Sequence, residues 1–295
     1  MKLMKKLLTM GLALSLAAAL IACGGKGQDA DAAPADTTAA ADSADESGAA
    51  AEIASPQDLA DKKISAQRGT VGDSLAQELS TDADKLVTTY EKYVDAVQAL
   101  EQDKVTAIIM DERPAKRFVD EREGLVIMEE ALTEESYAVA IKKGNVEMKK
   151  AIDEALTELK ENGKLQAIID KYNSDTPVKP EDIDLNKGAA GGTLTVGLEA
   201  GFAPYELKVG DGYIGIDIEM MAEVAKIMDR ELVIENMNFD ALPGAVNSGK
   251  IDCIAAGMTV TPEREQNMDF SVPYVEGARQ VALIKAADYS GPVAK

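Results

Sequence analysis

Three places where a strand-like run enters a loop concentrate the residue types that can hold a small charged molecule. In LEAGFAPYE (198–206) an apolar run breaks into Gly201, Phe202, Pro204 and Tyr205 just after Glu199. In AAGMTVTPERE (255–265), Thr261 is suited to cap a helix, Pro262 to its first position, and Arg264 falls in the first turn. A cation there opposes the helix dipole, so its placement points to a task other than helix stability. In QRGTVGDSLAQEL (67–79) a Gly-Thr loop enters a helix whose free amides favour an anion. Singly these signals are weak, since Gly-Thr before a helix is common and a surface arginine is usually just solvated. Together they supply an arginine fork and amide donors for one carboxylate.

What the chain lacks narrows the chemistry further. There is no histidine, which removes Ser-His-Asp and Cys-His catalysis and every His-ligated metal site. Of the 2 cysteines, Cys253 lies in IDCIAAGM and reads as a small buried hydrophobe, and Cys23 ends the leader-like start. Three lysines within the first six residues, the apolar run 7–19 and then LIAC (20–23) read as a secretory signal, shorter than a bilayer-spanning helix needs. Removing residues 1–22, with three lysines and no acid, takes the net charge from −21 to −24. Nucleic acid is excluded as a partner, because phosphate binding needs a basic face. The same charge gives no attraction to anionic lipid, so acyl chains must do the holding. No catalytic residue, no metal and no cofactor is expected, and the protein is read as a monomeric binder rather than an enzyme.

The elements that must position these residues alternate. Residues 24–54 are nearly all Ala, Asp, Gly, Ser and Thr, and read as a flexible tether. From Pro56, strand-like runs at 63–67, 85–90, 105–111, 124–129 and 137–143 alternate with amphipathic helical stretches, with Gly163 a stop for one of them. Residues 173–192, with two prolines and a cluster of acids, mark a second linker. Strands at 193–198, 231–237 and 251–258 then alternate with helices at 217–228 and 240–248, the methionines of the former filling core. The pattern predicts an α/β fold of two lobes, each a sheet flanked by helices, with the ligand beyond the strands' carboxyl ends.

At the level of motifs, LIAC resembles the lipobox of bacterial lipoproteins, which implies that Cys23 is acylated, palmitate included, and becomes residue one. Residues 193–285 resemble the first lobe of the polar amino-acid-binding proteins that serve ABC importers (extracellular solute-binding protein family 3). The match runs through FAPYE, GYIGIDIEM, MNFDALPGAVNSGKID, AAGMTVTPERE and MDFSVPY. Residues 55–173 resemble the rest of that family, through SPQDL, QRGT, MDERPAK at 110–116 and EALTELKENGKLQAIIDKY. The family places the FAPYE half first; here the halves are exchanged, so the sequence reads as a circular permutation of the type II periplasmic-binding-protein-like fold. The implied domains are a signal peptide (1–22), a lipidated Cys and tether (23–54), lobe 2 (55–132 plus 279–295) and lobe 1 (138–274, containing linker 173–192). The hinges are then 133–137 and 275–278.

The resemblance also implies a ligand shell. Arg264 matches the clamp for the ligand carboxylate, helped by amides at Thr259 and Thr70. Asp111 matches the acceptor of the α-ammonium, with Thr259 and the Gly257 carbonyl. Phe202 and Phe239 match the aromatic walls, and only 4 Phe exist in the chain. Glu199 and Gln67 sit where the family varies with its ligand; Glu199 could pair with a cationic side chain, accept from an amide or point to solvent. Arg68 could narrow the cleft or contact an acidic ligand. The implied function is capture of a free polar amino acid, a cationic one where Glu199 pairs with its side chain, and delivery to an ABC permease from a lipid anchor on the extracytoplasmic face of the cell membrane. Two alternatives remain open here: a prephenate- or arogenate-type dehydratase on the same scaffold, with Glu199 as general acid, and a ligand-sensing lipoprotein.

Overall fold

The computed structural model describes residues 53–174 and 177–294. The leader, Cys23 and nearly all of the tether lie outside them. Two sheets dominate, and their strand orders match. In the first, β1 (Ile64–Gln67) pairs in parallel with β2 (Val87–Tyr90) and β3 (Ala107–Asp111). The sheet continues to β4 (Leu125–Ile127) through one long strand from far along the chain, β14 (Val275–Lys285), which runs antiparallel to both neighbours. The chain leaves this sheet by β5 (Thr133–Tyr137) and enters the second at β6 (Ala140–Lys142).

There β7 (Thr193–Leu198) lies between β11 (Glu231–Asn236) and β12 (Cys253–Ile254), all parallel, and β6 runs antiparallel between β12 and β13 (Met268–Phe270). Each sheet therefore borrows its one antiparallel strand from the segment that crosses between lobes. The two crossings pair with one another, β5 antiparallel to β14 from Val275 to Gln280, so the lobes are joined by a two-stranded ribbon. A small antiparallel sheet, β8 (Gly201–Phe202), β9 (Glu206–Val209) and β10 (Gly212–Ile214), covers the end of β7.

Side-chain alternation decides which face each strand buries. Along β3, Ile108 and Met110 join the large core that runs through both lobes, while Ala107 and Ile109 join a second core on the other face, against Leu59 and Ile64. Nine helices among the described residues cover these faces. α1 (Val71–Leu79), α2 (Ala83–Leu86), α3 (Tyr93–Glu101) and α4 (Glu112–Glu121) belong to the first lobe. α5 (Val146–Glu161), α6 (Lys164–Tyr172), α7 (Ile216–Ile227), α8 (Leu242–Ser248) and α9 (Pro262–Asn267) belong to the second. Gly163, in left-handed backbone at φ 77°, separates α5 from α6 at the expected stop.

Several expected boundaries move. The run 85–90 begins as helix, with α2 preceding β2; 137–143 divides at Tyr137, where the ribbon ends; 251–258 yields only a two-residue strand. In that last case the chain turns early because Ala255–Thr259 must pass over the lobe's ligand-facing edge. The linker is also more than a connector. Ile183 is buried, the Leu185 carbonyl accepts the Leu232 amide at 2.9 Å, and Asn186 donates to the Arg230 carbonyl at 2.9 Å. Two apolar side chains, Ile183 and Leu185, dock an otherwise polar segment onto the second lobe.

Candidate functional site

All nine residues singled out for a ligand shell line one cavity between the lobes. From the second lobe come Glu199 at the end of β7, Phe202 on β8, Phe239 before α8, Gly257 and Thr259 after β12, and Arg264 on α9. From the first come Gln67 at the end of β1, Thr70 capping α1, and Asp111 at the end of β3. These are the carboxyl ends of strands, where an open α/β sheet exposes backbone without disrupting its core. Val71, Glu206, Ala256 and Gln280 complete the lining.

Arg264 ties the two walls together. The Thr261 hydroxyl caps α9 by accepting the Arg264 amide at 3.2 Å, which fixes where the side chain starts. Its Nη1 donates to the Thr259 carbonyl at 2.9 Å within its own lobe, and Nη2 donates to the Gly69 carbonyl at 3.0 Å in the other. The guanidinium lies 5.5 Å above the Phe239 ring, a cation–π contact. Burial lowers its pKa, opposed by Glu135 and Asp111.

Asp111 is buried with no cation bonded to it. It accepts from the Tyr137 hydroxyl, and from Tyr93 at 3.5 Å. Burial pushes its carboxyl up to about 7, against the stabilising hydrogen bond from Tyr137. Glu199 is 4 % exposed and accepts from Gln67 Nε2 at 3.2 Å, a second bridge between lobes. Burial raises its pKa too, and the Gln67 bond opposes that. Of the three alternatives for Glu199, pointing to solvent is excluded and acceptance from an amide is observed. Gln67 Nε2 is itself anchored to the Glu91 carbonyl at 2.8 Å.

The remaining lining is set by packing. Phe202 stacks on Tyr205 at 5.4 Å and on Tyr93 of the other lobe at 6.0 Å. Gly257 adopts φ 53°, and a Cβ there would come within 2.4 Å of the Phe202 ring, so only glycine lets the loop pass. The Thr259 hydroxyl donates to Glu135 on the crossing ribbon at 2.7 Å. The Thr70 amide is already engaged by the Gln67 carbonyl at 3.3 Å, so it serves a ligand only if that turn opens. Arg68 is absent from the cavity: it is exposed, 4.0 Å from Glu91 at the surface, because the positive-φ turn at Gly69 directs it outward.

The enclosed free space is about 20 Å³, room for about one water molecule. Any larger ligand requires the lobes to part, and the ribbon of β5 and β14 is the connection about which they can do so. Sequence reasoning missed Tyr93, Tyr137 and Glu135, because their approach to Asp111 and Thr259 depends on how α3 and the crossing strand β5 pack against the site. Glu206 stood within the FAPYE motif, and its burial gave no sequence signal.

Comparison with known proteins now bears on this geometry. Residues 194–291 match the bacterial extracellular solute-binding proteins, family 3. That match spans about a third of the chain. The protein is 37% identical over 91 residues to the arginine-binding extracellular protein ArtP of Bacillus subtilis (strain 168), a match covering 30% of this chain and 36% of that one. It is 42% identical over 82 residues to a probable histidine-binding protein of Campylobacter jejuni, covering 28% and 32%. Among solved structures, the arginine-bound form of domain 1 from TmArgBP is 35% identical, with 33% of this chain and 82% of that one covered and a TM-score of 0.29. The chain thus spans about a third of the length of these curated relatives, 36% and 32%.

Proposed function

We propose that this protein captures a free amino acid in the cleft between its lobes and delivers it to an ABC importer. The observation that carries the reading is the pairing of opposite charges on opposite walls. Arg264 reaches across from one lobe, and Asp111 stands on the other without a cationic partner among its hydrogen bonds. A zwitterion satisfies both: its carboxylate replaces the Gly69 carbonyl at the guanidinium, and its ammonium supplies Asp111 with the cation that offsets burial. Closure is then favoured by the ligand, since both lobes contribute to one binding site.

The ligand is a cationic amino acid in this proposal. Asp111 and Glu199 face a single guanidinium in the cavity, so its charge favours a net positive guest. Glu199 is the group placed to receive the side chain once Gln67 moves with its lobe. The relatives named for arginine and histidine agree with this.

The chain is further proposed to be a circular permutation of the family, with lobe 2 at 55–132 plus 279–295, lobe 1 at 138–274, and hinges at 133–137 and 275–278. Three observations support this: the two sheets share one strand order; Ile53 bridges Tyr289, with the Ser290 amide 2.9 Å from the Ile53 carbonyl, so the two ends of the described chain meet; and the 173–192 linker joins α6 to β7 within one lobe. Anchorage through an acylated Cys23, removal of 1–22 and a monomeric state belong to the same proposal, on the sequence signals alone. Calorimetric titration of the mature chain with arginine, lysine and histidine tests the binding reading; absence of saturable binding by any of them rejects it.

A further inference from the structure

Glu206 in the cavity lining and Asp217 behind it form a pair of acids that the ligand shell does not use. Glu206, at the start of β9, is 1 % exposed and Asp217, in the first turn of α7, is 0 % exposed. Asp217 Oδ2 accepts the Gly257 amide at 2.9 Å and the Tyr274 hydroxyl at 2.7 Å, and two donors on one oxygen suit a carboxylate. The other oxygens, Asp217 Oδ1 and Glu206 Oε2, are fully enclosed and have no partner while both groups act as acceptors. The Asp217 amide donates to the Tyr205 carbonyl at 3.0 Å, which brings Glu206 and Asp217 together, and their two enclosed, unpartnered oxygens are satisfied by one another only if one carboxyl carries a proton.

Nothing nearby offsets a second charge. The groups facing Glu206 are Asp217, Glu199, Asp111 and the Tyr205 and Tyr274 hydroxyls, while Arg264 across the cavity is occupied by two carbonyls. Burial, then repulsion from Asp217 and Glu199, holds the Glu206 carboxyl well above the usual range; Asp217, with its two donors opposing burial, is pushed up to about 7.

We propose that Glu206 keeps one proton, donates it to Asp217 Oδ1, and that this acid pair is the clip that positions the ligand loop. Each end of the clip is attached to a part of the binding site. Glu206 belongs to the hairpin that carries Phe202, Asp217 holds the amide of Gly257, and Tyr274 leads into β14, its own amide donating to Tyr137 of the other crossing at 2.8 Å. One shared proton thus joins aromatic wall, ligand loop and hinge. Loss of it places two like charges in a sealed site and releases the loop. Glu206 and Asp217 act through Gly257, so they are positioning residues. Only this positioning half rests on the amino-acid-binding reading.

The test has two arms. Infrared spectra of the mature chain at pH 8 are expected to show a protonated carboxyl stretch that disappears in Glu206→Gln; no such band in the parent overturns the shared proton. For positioning, affinity for arginine is measured from pH 7 to pH 9 in the parent, E206Q and E206L. Titration of arginine itself cancels in the ratio of parent to E206Q, which is expected to fall about tenfold across the pH at which the parent's infrared band is lost. E206L, which removes the donor, is expected to bind worse than E206Q throughout. A constant ratio, or equal binding by E206Q and E206L, overturns the clip. Failure of the parent to bind any amino acid overturns the cleft reading and the positioning half with it, and the infrared band still decides the proton.

Discussion

Replacing Arg264 by alanine removes the one group that reaches from the second lobe to the backbone of the first inside the cleft. In the closed structure its fork is divided between the Thr259 and Gly69 carbonyls, at 2.9 and 3.0 Å. Opening frees the Gly69 contact for a ligand carboxylate. A hydrogen bond to a charged group is worth about 1.5–3 kcal/mol, and removing one partner of a buried charge pair costs about 3–5 kcal/mol. A loss of about 3–4 kcal/mol corresponds to affinity weaker by about 10²- to 10³-fold. Arg264→Lys keeps the charge and loses the planar fork, so an intermediate loss is expected. Calorimetry gives the affinity, and thermal melting shows whether the fold survives. If R264A melts like the parent and binds its amino acid within threefold of the parent, the assignment of Arg264 as carboxylate clamp is wrong.

Three other outcomes follow from the geometry. Gly257→Ala sets a Cβ within 2.4 Å of the Phe202 ring at φ 53°, so both affinity and melting temperature fall, by roughly 1–2 kcal/mol for the left-handed backbone alone; an unchanged melt refutes the close packing. Asp111 has a raised pKa, from 3.8 to about 7, so its contribution to stability is fully present below its unfolded value and is lost as pH rises through about 7. The ligand-free protein is therefore expected to melt at higher temperature at pH 5 than at pH 8, and Asp111→Asn to flatten that difference; a parent melt that rises with pH contradicts the assignment. Finally, under the proposed permutation, a chain rejoined through residues 290 and 53 and opened within the 173–192 linker is expected to fold and bind as the parent does. Circular dichroism and calorimetry check it, and failure to fold argues against permutation.

Much of this was readable in the residues because local chemistry and tertiary placement agreed. Thr193–Leu198 is a strand with the predicted bounds, and Thr261 and Pro262 open α9 as their types require. The two-lobed α/β class followed from alternating elements, and the residues that line the cavity from motifs. What escaped the reading lies where placement depends on distant chain. The hairpin from Gly201 to Ile214 is built from strands of two to four residues, too short to carry a period. The tyrosines on Asp111 are set by α3 and by the crossing strand, elements that no local pattern brings together. Residues 173–192 read as a connector by composition, and two apolar side chains were enough to dock them. Burial of Glu206 and Asp217 is likewise invisible in sequence, where both look like ordinary surface acids.

Calorimetric titration of the mature parent and of Glu199→Gln with arginine, lysine, histidine and glutamine tests the central claim most directly. One saturable site is expected in the parent, with a preference for the cationic amino acids over glutamine, and that preference is expected to be lost in E199Q. Binding of none of the four, or an unchanged preference when Glu199 loses its charge, would contradict it.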